Sequence, residues 1–298
     1  MKNIEIKPFI KWAGGKSQLI DIIEERYPMK KNTIDKYIEP FIGGGAILFD
    51  LLGKYDFEEV YISDVNKELI NTYKVIRDNV SELICMLEDM QNEYIPLEKE
   101  ERKEYFYAKR EKYNVEDLSD CNKIEKAALF IFLNRTCFNG LYRVNKKGKF
   151  NVPMGDYKNP KICDKENLTN VSLSLKNVEI KNADYTECIE KVDDKTFVYI
   201  DPPYRPLSTT ASFTSYSEND FGDKEQIELA EFYRKLDSKG AFVILSNSDP
   251  KNSDANDEFF DKLYDGYRIE RIPAKRRINS KASGRGEINE LLISNFEV

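Results

Sequence analysis

A short segment with two consecutive prolines carries the clearest chemical signal in this sequence. Tyr199–Tyr204 reads YIDPPY and ends a strongly apolar run. The prolines cannot continue a helix or a strand, and they fix the backbone around them. The carboxylate of Asp201 and the carbonyl of Pro202 can both accept hydrogen bonds from an NH2 group, while Tyr204 offers a face for stacking. The segment predicts a site that binds a planar amine, with an ordinary turn at the end of a strand as the alternative.

A glycine-rich segment predicts a second part of a binding site. Glu39–Gly45 reads EPFIGGG, in which a predicted strand runs into three glycines. Glycines at that place allow a tight turn and the close approach of a ligand, although the spacing is not the GxGxxG of dinucleotide sites. Asp64 follows about twenty residues later, where an acidic residue commonly binds ribose hydroxyls. A nucleoside cofactor without a pyrophosphate fits this pattern better than NAD, and helix capping is the alternative role for Asp64.

A third segment, Lys11–Lys16, reads KWAGGK and is followed by Ser17. The run of two glycines, lysine and serine resembles part of a phosphate-binding P-loop, but that motif needs a glycine where Ile10 stands. We therefore reject a P-loop here. The glycines before a predicted helix can still present backbone N–H groups to an anion such as a carboxylate, with a plain turn as the alternative. Trp12 is the only tryptophan, and anchoring the core is its ordinary role.

Histidine is absent from the chain, and its absence excludes several kinds of catalysis. No Ser-His or Cys-His nucleophile, no His-ligated metal and no histidine base is available. The cysteines are far apart and form no CxxC pair, so each is predicted to be a small buried apolar residue and not part of a zinc or redox site. They are Cys85, Cys121, Cys137, Cys163 and Cys188. The sequence predicts chemistry that needs no metal.

The chain carries a net charge of −7, which by itself argues against a nucleic-acid partner. Two segments depart from this average. Asn134–Lys161 contains seven basic residues and one acidic residue, and Arg268–Glu287 contains seven basic residues and two acidic ones. Such segments predict a surface with one side that faces a polyanion, with an ordinary solvated surface as the alternative. There is no apolar run of about 18 residues and no apolar signal segment at residues 1–16, so a cytoplasmic protein without membrane contact is predicted.

Short runs rich in Val, Ile, Tyr and Phe alternate with amphipathic segments, which predicts an α/β fold with a parallel sheet and crossover helices. The predicted strands are Tyr37–Phe41, Val60–Ser63, Val178–Asn182, Phe197–Ile200, Phe242–Ser246, Tyr267–Ile272 and Leu291–Phe296. The predicted helices are Ser17–Arg26 capped by Ser17, Ala46–Leu52, Lys67–Arg77, Ser81–Gln91 capped by Ser81, Lys123–Leu133 and Asp223–Leu236. Residues 66–165 show no clear strand and are helix-like, so we predict a helical insertion there, between residues 1–65 and 166–298 of one domain.

In their order and spacing, these segments resemble the Dam-type DNA adenine N6-methyltransferases of bacteria and phages. The motifs that carry the resemblance are KWAGGK, EPFIGGG, SDVN, LNRTCFNGLYRVNKKGKFNVP, YIDPPY, SFTSY and LSNS, which span nearly the whole chain. The likeness is greatest to GATC-modifying methylases, including those paired with restriction enzymes. It implies a Rossmann-like S-adenosylmethionine-dependent methyltransferase sheet with helices on both faces. Residues 1–65 and 166–298 then form the catalytic methyltransferase domain, and residues 66–165 form a target-recognition insertion that binds DNA.

The resemblance also implies a role for each residue at a matching position. The target adenine is bound by Asp201, Pro202, Pro203 and Tyr204. Contacts to S-adenosylmethionine are implied for Trp12, Lys16, Asp64 and Asp201, with Phe41 and the turn from Gly43 to Gly45 as walls of the pocket and Asp184 as the partner of the cofactor's adenine. Contacts to DNA are implied for Lys11, Phe138, Asn139, Leu141, Arg143 and Pro153. The histidine that others in the family carry near SFTSY is absent here, but the mechanism needs none.

The implied function is site-specific methyl transfer from S-adenosylmethionine to N6 of an adenine flipped out of double-stranded DNA. The expected target is GATC, and the expected enzyme is a monomer on DNA that uses no metal. The sequence leaves open whether it is paired with a restriction endonuclease or acts alone. Two alternatives remain: a methyltransferase of RNA or of a protein glutamine, and a non-catalytic DNA-binding module. The insertion with FNGLYR argues against the first, and the intact Asp201 and glycine turn argue against the second.

Overall fold

The computed structural model describes residues 6–30, 32–115, 122–205, 221–275 and 287–297. The motif SFTSY, Cys121 and the basic residues between 276 and 286 lie outside these ranges. Within them, strands and helices alternate over much of the chain, and helices cover both faces of one sheet. The fold is mixed α/β and consistent with a Rossmann-like methyltransferase fold, as the sequence predicts.

Seven strands of the described chain form this sheet. They are β1 (Lys36–Glu39), β2 (Glu59–Asp64), β3 (Val178–Asn182), β4 (Thr196–Ile200), β5 (Phe242–Ser248), β6 (Arg268–Lys275) and β7 (Glu287–Ser294). Their order is β3-β2-β1-β4-β5-β7-β6. The first five strands in this order are parallel, and β7 runs antiparallel to both β5 and β6. Each predicted strand is present, and β3 has the predicted bounds.

The helices surround the sheet and fill the chain between β2 and β3. In the described chain they are α1 (Ile20–Glu24), α2 (Ala46–Lys54), α3 (Lys67–Asp78), α4 (Val80–Tyr94), α5 (Lys99–Val115), α6 (Lys123–Thr136), α7 (Lys165–Leu175), α8 (Asp223–Ser238) and α9 (Phe259–Leu263). Among the described residues, none of these helices combines the length and the apolar character that crossing a membrane requires.

The two faces of the sheet bury separate apolar layers, because successive side chains of a strand point to opposite sides. On β1, Tyr37 belongs to one layer and Ile38 to the other. The first layer includes residues of α2, α3 and α6, and the second includes residues of α8 and α9. The strands are therefore enclosed on both sides, and only their ends are available for a ligand.

The chain between β2 and β3 packs around α6, which is buried along most of its length. α6 contacts α3, α4 and α5, and α3 also contacts β2 and β3. Isolated bridges join Val144 to Phe150 and Cys137 to Met154, so a small hairpin follows α6. The helical part therefore adjoins the sheet through α3. Its description as an insertion bounded by residues 66 and 165 stays a prediction.

Residues 7–16 connect the helical part with the sheet. The backbone N–H and carbonyl of Lys7 bond with the side chain of Asn167 on α7, both at 2.9 Å. The backbone of Lys11 bonds in the same way with Asn134 on α6, both at 2.8 Å. Lys16 then reaches the loop after β4 with its side chain. Two asparagine side chains thus take the place of a strand partner for this segment.

Two predicted helix starts are wrong. In the predicted helix Ser17–Arg26, residues 16–18 form a 3-10 turn and only Ile20–Glu24 is α-helical, with no side-chain cap. The side chain of Lys16 bonds to Asp201 in the loop after β4, and this contact fixes the backbone conformation before the helix. Ser81 does not cap α4, which begins at Val80. α3 ends at Asp78, and only Asn79 lies between the two helices. The N–H of Asn79 bonds to the carbonyl of Val75 in α3, so there is no room for a capping turn before α4.

Of the four cysteines in the described ranges, three follow the predicted apolar role. Cys137, Cys163 and Cys188 are buried, and burial raises the pKa of their thiols to about 12, 11 and 12. Cys85 is exposed, so the prediction of burial is wrong there. It lies on the outer side of the amphipathic helix α4, whose inner side is formed by its neighbours Ile84 and Leu87.

Candidate active site

A cleft of about 2350 Å³ lies at the carboxyl ends of the parallel strands. β1 lies between β2 and β4, so the order of the strands reverses at β1, and ligands bind at such a point in open α/β sheets. All residues predicted to bind the cofactor or the target adenine line this cleft. They are Trp12, Lys16, Phe41, Gly43, Gly45, Asp64, Asp184, Asp201, Pro202, Pro203 and Tyr204. The structure brings these residues together, and their roles stay a prediction.

Asp201, directly after β4, is held by one of its two carboxylate oxygens. Its Oδ1 accepts hydrogen bonds from Lys16 Nζ at 2.6 Å and from Ser246 Oγ at 3.0 Å. Ser246 is fully buried on β5 and accepts from the hydroxyl of Tyr199 at 3.1 Å. Within the described ranges both bonds to the Asp201 carboxylate fall on Oδ1. Oδ2 is therefore the oxygen that can accept a hydrogen bond from a ligand.

Lys16 is the cation of this site, and only 2% of its side chain is exposed. Besides Asp201, its Nζ donates to the carbonyl of Gly14 at 2.9 Å and to the hydroxyl of Tyr204 at 2.8 Å. Burial alone would lower the pKa of Lys16, but the neighbouring Asp201, Tyr199 and Glu290 together raise it. The ammonium therefore keeps its charge in the interior.

Glu290 on β7 is a second carboxylate in the cleft. Its Oε2 accepts from the hydroxyl of Tyr204 at 3.0 Å and lies 3.8 Å from Lys16 Nζ. Burial raises the pKa of Glu290, while Lys16 acts in the opposite direction. Burial, followed by the charges of Asp201 and Glu290, raises the pKa of Tyr204 well above its ordinary value. The tyrosine therefore stays protonated, as a donor to Glu290 requires.

The chain that leaves the two prolines is held by a buried pair of amides. Gln226 of α8 donates from Nε2 to the carbonyl of Pro203 at 3.1 Å, and its Oε1 accepts from Asn247 at 3.2 Å. Both amide side chains are fully buried. Arg205 pairs with Asp223 at the start of α8, at 2.5 Å. Asp201 is thus held on one side of Pro202 and Pro203 on the other. The carbonyl of Pro202 is therefore ordered before a ligand binds.

Trp12 covers the glycine turn between β1 and α2. Its ring stacks on Tyr142, with 5.7 Å between centroids. Gly43 lies beneath it with a φ of +46°, a region that favours glycine. A Cβ on Gly43 would come within 2.8 Å of Trp12 Cδ1. Glycine is therefore required here both by the backbone and by the indole ring above it.

Asp64 ends β2, and its carboxylate joins the glycine turn to the following helix. Oδ2 accepts from the N–H of Gly43 at 3.2 Å, and Oδ1 accepts from the N–H of Asn66 at 2.9 Å. Asn66 caps α3 by accepting from Glu68 and Leu69, so Asp64 is not the capping residue. Burial raises the pKa of Asp64 to about 6, although the backbone donors lower it. This carboxylate is thus ionised at neutral pH and titrates just below it.

Aromatic side chains line the cleft beside an exposed carboxylate. Phe41 stacks on Tyr185 at 5.2 Å between centroids and meets Phe221 edge-on at 6.0 Å. Asp184 is exposed, and its Oδ1 accepts from the N–H and the hydroxyl of Thr186 at 3.0 and 2.6 Å. A flat apolar surface with a nearby acceptor suits a planar base that carries an NH2 group.

The residues predicted to contact DNA fall into two groups. Lys11, Asn139 and Leu141 line the cleft, whereas Phe138, Arg143 and Pro153 are not part of its lining. The second group is solvent-exposed, and 52% of Phe138 is accessible. Phe138 of the exposed group and Asn139 of the cleft group are neighbours in the chain, and both lie in a 3-10 turn after α6. Asn139 has a φ of 55°, which asparagine tolerates better than most residues.

The family model of the D12 class N6 adenine-specific DNA methyltransferases matches residues 12–278 of this chain. The matched span includes the glycine turn, Asp64, the helical part and Asp201. The chain belongs to this family. It is therefore an enzyme that methylates adenine in DNA, and the alternatives of an RNA or protein methyltransferase and of a non-catalytic binding module are set aside.

Relatives of this methyltransferase match it over nearly their whole length. The type II methyltransferase M.MjaIII of Methanocaldococcus jannaschii is 53% identical over 98% of this chain and 100% of that protein. The type II methyltransferase M1.LlaDCHI of Lactococcus lactis is 40% identical, over 99% of this chain and 97% of that one. The DNA adenine methylase of Escherichia coli K12 is 31% identical, over 96% and 94%. The methyltransferase is thus similar to proteins named for adenine methylation and to proteins named for type II systems.

Asn134 holds the loop after α6, which is predicted to contact DNA, to residues 7–16 of the methyltransferase. It is buried on α6 and donates to the carbonyls of both Lys11 and Gly140, at 2.8 and 2.9 Å. Lys11 itself extends over the ring of Tyr157, with Nζ 4.5 Å from the centroid. One buried amide therefore sets the distance between two elements that are predicted to touch DNA.

The first basic segment of the methyltransferase places its lysines on an exposed hairpin tip. Lys146, Lys147 and Lys149 are exposed there. The side chain of Asn145 orders the turn by accepting from the N–H groups of Lys147 and Lys149, at 2.9 and 3.1 Å. This arrangement fits the predicted contact with a polyanion, because the tip presents positive charge on a defined backbone.

The second basic segment is partly neutralised. Arg271 pairs with Asp249 at 3.0 Å and with Asp261 at 2.7 Å. Arg268 pairs with Glu270 at 3.1 Å. These pairs hold β6 to its surroundings, and Arg268 shares Glu270 with Arg26, which lies 2.9 Å from the same carboxylate. Four further basic residues of the segment lie outside the described ranges, namely Arg276, Arg277, Lys281 and Arg285.

Sequence analysis missed several residues that hold the site of the methyltransferase. A signal existed for Glu290, because the alternation of β7 places it on the same face as Ile288 and Leu292, where it interrupts an apolar stripe. LSNS contains Ser246 and Asn247, two polar residues in a central strand, and their burial is the signal there. Gln226 and Asn134 have no comparable signal, because each lies in a helix where a polar residue is ordinary.

Proposed function

We propose that this methyltransferase uses S-adenosylmethionine to methylate the adenine of GATC sites, after that adenine has turned out of the duplex into the cleft beside Asp201. The observation that carries the proposal is the hydrogen bonding of the Asp201 carboxylate. Its Oδ1 is bound by Lys16 and Ser246, so Oδ2 and the carbonyl of Pro202 are the acceptors for the target amine. A rigid pair of acceptors next to a tyrosine ring fits an exocyclic NH2 group on a planar base.

The lining of the cleft fits the proposed donor. S-Adenosylmethionine supplies a methyl group that is already activated by a positively charged sulfonium. Acidic residues of the cleft, among them Asp64, Asp184 and Asp201, suit its positive charges and its ribose hydroxyls. The rings of Phe41, Tyr185 and Phe221 suit its adenine. We assign the donor to the part of the cleft between these rings and the glycine turn.

The residues around Asp201 account for the chemistry of the acceptor. The amine of adenine is a weak nucleophile, because its lone pair is delocalised into the ring. Two fixed acceptors on its hydrogens, Asp201 Oδ2 and the Pro202 carbonyl, draw the nitrogen towards a localised lone pair. Alignment then supports an in-line displacement without a covalent intermediate: the bond from N6 to the methyl carbon forms as the bond from that carbon to sulfur breaks, and N6 then releases one proton to solvent. The target base must leave the stack, which costs a few kcal/mol, and stacking on Tyr204 offsets about 1–3 kcal/mol of this.

The proposed target sequence rests on the loop after α6. Arg143 donates from Nε to Asn151 Oδ1 at 2.7 Å, so its Nη atoms are directed by a fixed neighbour. A guanine edge in the major groove accepts two such hydrogen bonds. Lys11, Leu141 and Pro153 are proposed to complete the reading of the site, and Phe138 or Asn139 to fill the space left by the adenine. GATC is self-complementary, so one monomer can methylate both strands in turn.

A role in restriction-modification is proposed on the names of two relatives. Those from Methanocaldococcus jannaschii and Lactococcus lactis are type II methyltransferases by name. Pairing with a restriction endonuclease that cuts the same site would make this enzyme the protective half of a system. Action as a monomer is part of the proposal, since a self-complementary site lets one chain act twice.

The proposed target is tested by expressing this chain alone in cells that lack adenine methylation and sequencing their DNA with a method that detects N6-methyladenine. We expect the modification at GATC on both strands. Methylation of a different sequence would overturn the assignment of the reading residues and leave the adenine site intact. Undiminished methylation in cells that express Asp201→Ala in place of the wild type would contradict the site itself.

Arg143 and the hairpin lysines should differ in what they contribute to DNA binding. We expect Arg143→Ala to lose about 1–3 kcal/mol of discrimination at one base pair, because it removes a bidentate contact to a base. Lys146→Ala or Lys147→Ala should weaken binding to all DNA sequences alike and reduce the salt dependence of binding, because a phosphate contact is removed. Methylation of GATC and single-mismatch duplexes at two salt concentrations separates the two effects. An equal loss on cognate and mismatched DNA would make Arg143 a phosphate contact only.

Asp64 should give cofactor binding a pH dependence. The carboxylate must be ionised to accept from ribose hydroxyls, and burial raises its pKa to about 6. Affinity for S-adenosylmethionine is therefore expected to fall as the pH drops through about 6, where an ordinary aspartate would still be charged. Calorimetry on both sides of that pH measures the change. Asp64→Asn should bind weakly at every pH with a flat profile, and an unchanged dissociation constant in Asp64→Ala would leave Asp64 a purely structural residue.

A further inference from the structure

Glu290 occupies a place where the sheet would otherwise be apolar. It lies on β7 between Ser248 of β5 and Ile272 of β6. Its neighbours on the same face of β7, Ile288 and Leu292, pack in the core layer. Only 14% of the Glu290 side chain is exposed. A carboxylate in such a position destabilises the fold unless it is paired, so its partners indicate what it does.

The partners of Glu290 are Tyr204, which belongs to the proposed adenine site, and Lys16. Its Oε2 accepts from the Tyr204 hydroxyl at 3.0 Å, and the same hydroxyl accepts from Lys16 Nζ at 2.8 Å. Lys16 Nζ also bonds to Asp201 Oδ1 at 2.6 Å. The tip of the Tyr204 ring is therefore held between an acceptor on β7 and a donor from residues 7–16. In the described part of the chain, the hydrogen bond of Glu290 is to Tyr204 and not to Asp201.

We propose that Glu290 is a positioning residue for methyl transfer, which fixes the Tyr204 ring so that the stacked adenine presents its N6 atom in line with the donor methyl. The inference rests on the proposed function, since it takes Asp201–Tyr204 as the adenine site. A hydroxyl held from two sides prevents the ring from turning. A base stacked on a fixed ring keeps its amine between the acceptors, and displacement is sensitive to such alignment.

The test is a double-mutant cycle on steady-state kinetics. Glu290→Gln keeps the size of the side chain and removes the charged acceptor, and Tyr204→Phe keeps the ring and removes the hydroxyl. We expect each variant to lower kcat about tenfold, the effect of losing one charge-assisted hydrogen bond, with the KM for DNA within about twofold of the wild type. The double variant should be no slower than the slower single variant, because both changes break the same contact.

The controls separate this inference from the proposed site. Glu179→Gln removes a carboxylate from β3, at the opposite edge of the sheet, where it pairs with Lys181 and Lys191, and it should leave kcat unchanged. Wild-type kcat in Glu290→Gln, or losses that multiply in the double variant, would overturn the role of Glu290. If the Glu290 prediction fails but Asp201→Ala is inactive in the same assay, the proposed adenine site is still supported. If Asp201→Ala is also fully active, the proposed site itself is wrong.

Discussion

Asp201→Ala is expected to abolish methyl transfer while the protein keeps its fold and most of its affinity for DNA. The substitution removes Oδ2, the acceptor that we propose draws the amine lone pair towards the donor. Loss of one preorganised group at a reacting centre typically costs a factor of about 10² to 10³ in kcat. Transfer of radiolabelled methyl to duplex DNA measures turnover, and a gel-shift titration measures binding. Asp201→Asn should be impaired less, because the amide oxygen still accepts one hydrogen bond.

The matched control is Asp265→Ala, which removes an exposed carboxylate from the turn between α9 and β6. It should leave both turnover and DNA binding unchanged. Full turnover by purified Asp201→Ala would refute the two-acceptor account of the amine. A loss of folding in that variant, seen by circular dichroism, would shift the test to Asp201→Asn, which keeps the shape of the side chain.

Lys16→Met is expected to affect stability and turnover together. The substitution leaves Asp201 and Glu290 without the ammonium that lies 2.6 and 3.8 Å from them. We expect turnover to fall about 100-fold, because Asp201 loses the bond that sets its orientation. The free energy of unfolding should fall by about 1–3 kcal/mol, less than for a fully buried pair, because 20% of the Asp201 side chain is exposed to water.

The loss of stability in Lys16→Met should depend on pH. Without the ammonium the pKa of Glu290 rises further, since Lys16 lowers it in the native protein. Protonation of this carboxylate then relieves the unpaired charge, so the deficit is largest at neutral pH and shrinks as the pH falls. Urea unfolding at neutral and mildly acidic pH measures it. Lys176→Met, at an exposed position after α7, is the control, and an equal deficit at both pH values would contradict this electrostatic account.

Sequence reasoning succeeded where a short local pattern determines the structure. The strand Val178–Asn182 has the predicted bounds because its apolar and polar residues alternate beside turn-forming neighbours. The residues of YIDPPY and EPFIGGG meet in one cleft because the carboxyl ends of parallel strands share an edge. Placing these segments at strand ends was therefore enough to place them in space.

The rest depended on contacts between distant parts of the chain. Glu290 meets Tyr204 from 86 positions away, and Lys16 meets Asp201 from 185 positions away. The second of these contacts also shortened the helix predicted from Ser17, because a buried ion pair outweighs a weak local preference for helix. Gln226 could not be singled out, because the acceptor it serves becomes a neighbour only when α8 packs beside β4.

The attachment of residues 7–16 has a consequence for the order in which the molecule is made. This segment leaves the ribosome before Asn134, Asn167 and Asp201, to which it is bonded across 123, 160 and 185 positions. The first of these partners to be made is Asn134, so the segment meets none of the three before α6 has been synthesised. Glu290, the residue opposite Tyr204, is made later still, on β7. A nascent chain arrested before β7 lacks the contact from Glu290 to Tyr204, so the candidate active site is completed only after β7 has been synthesised.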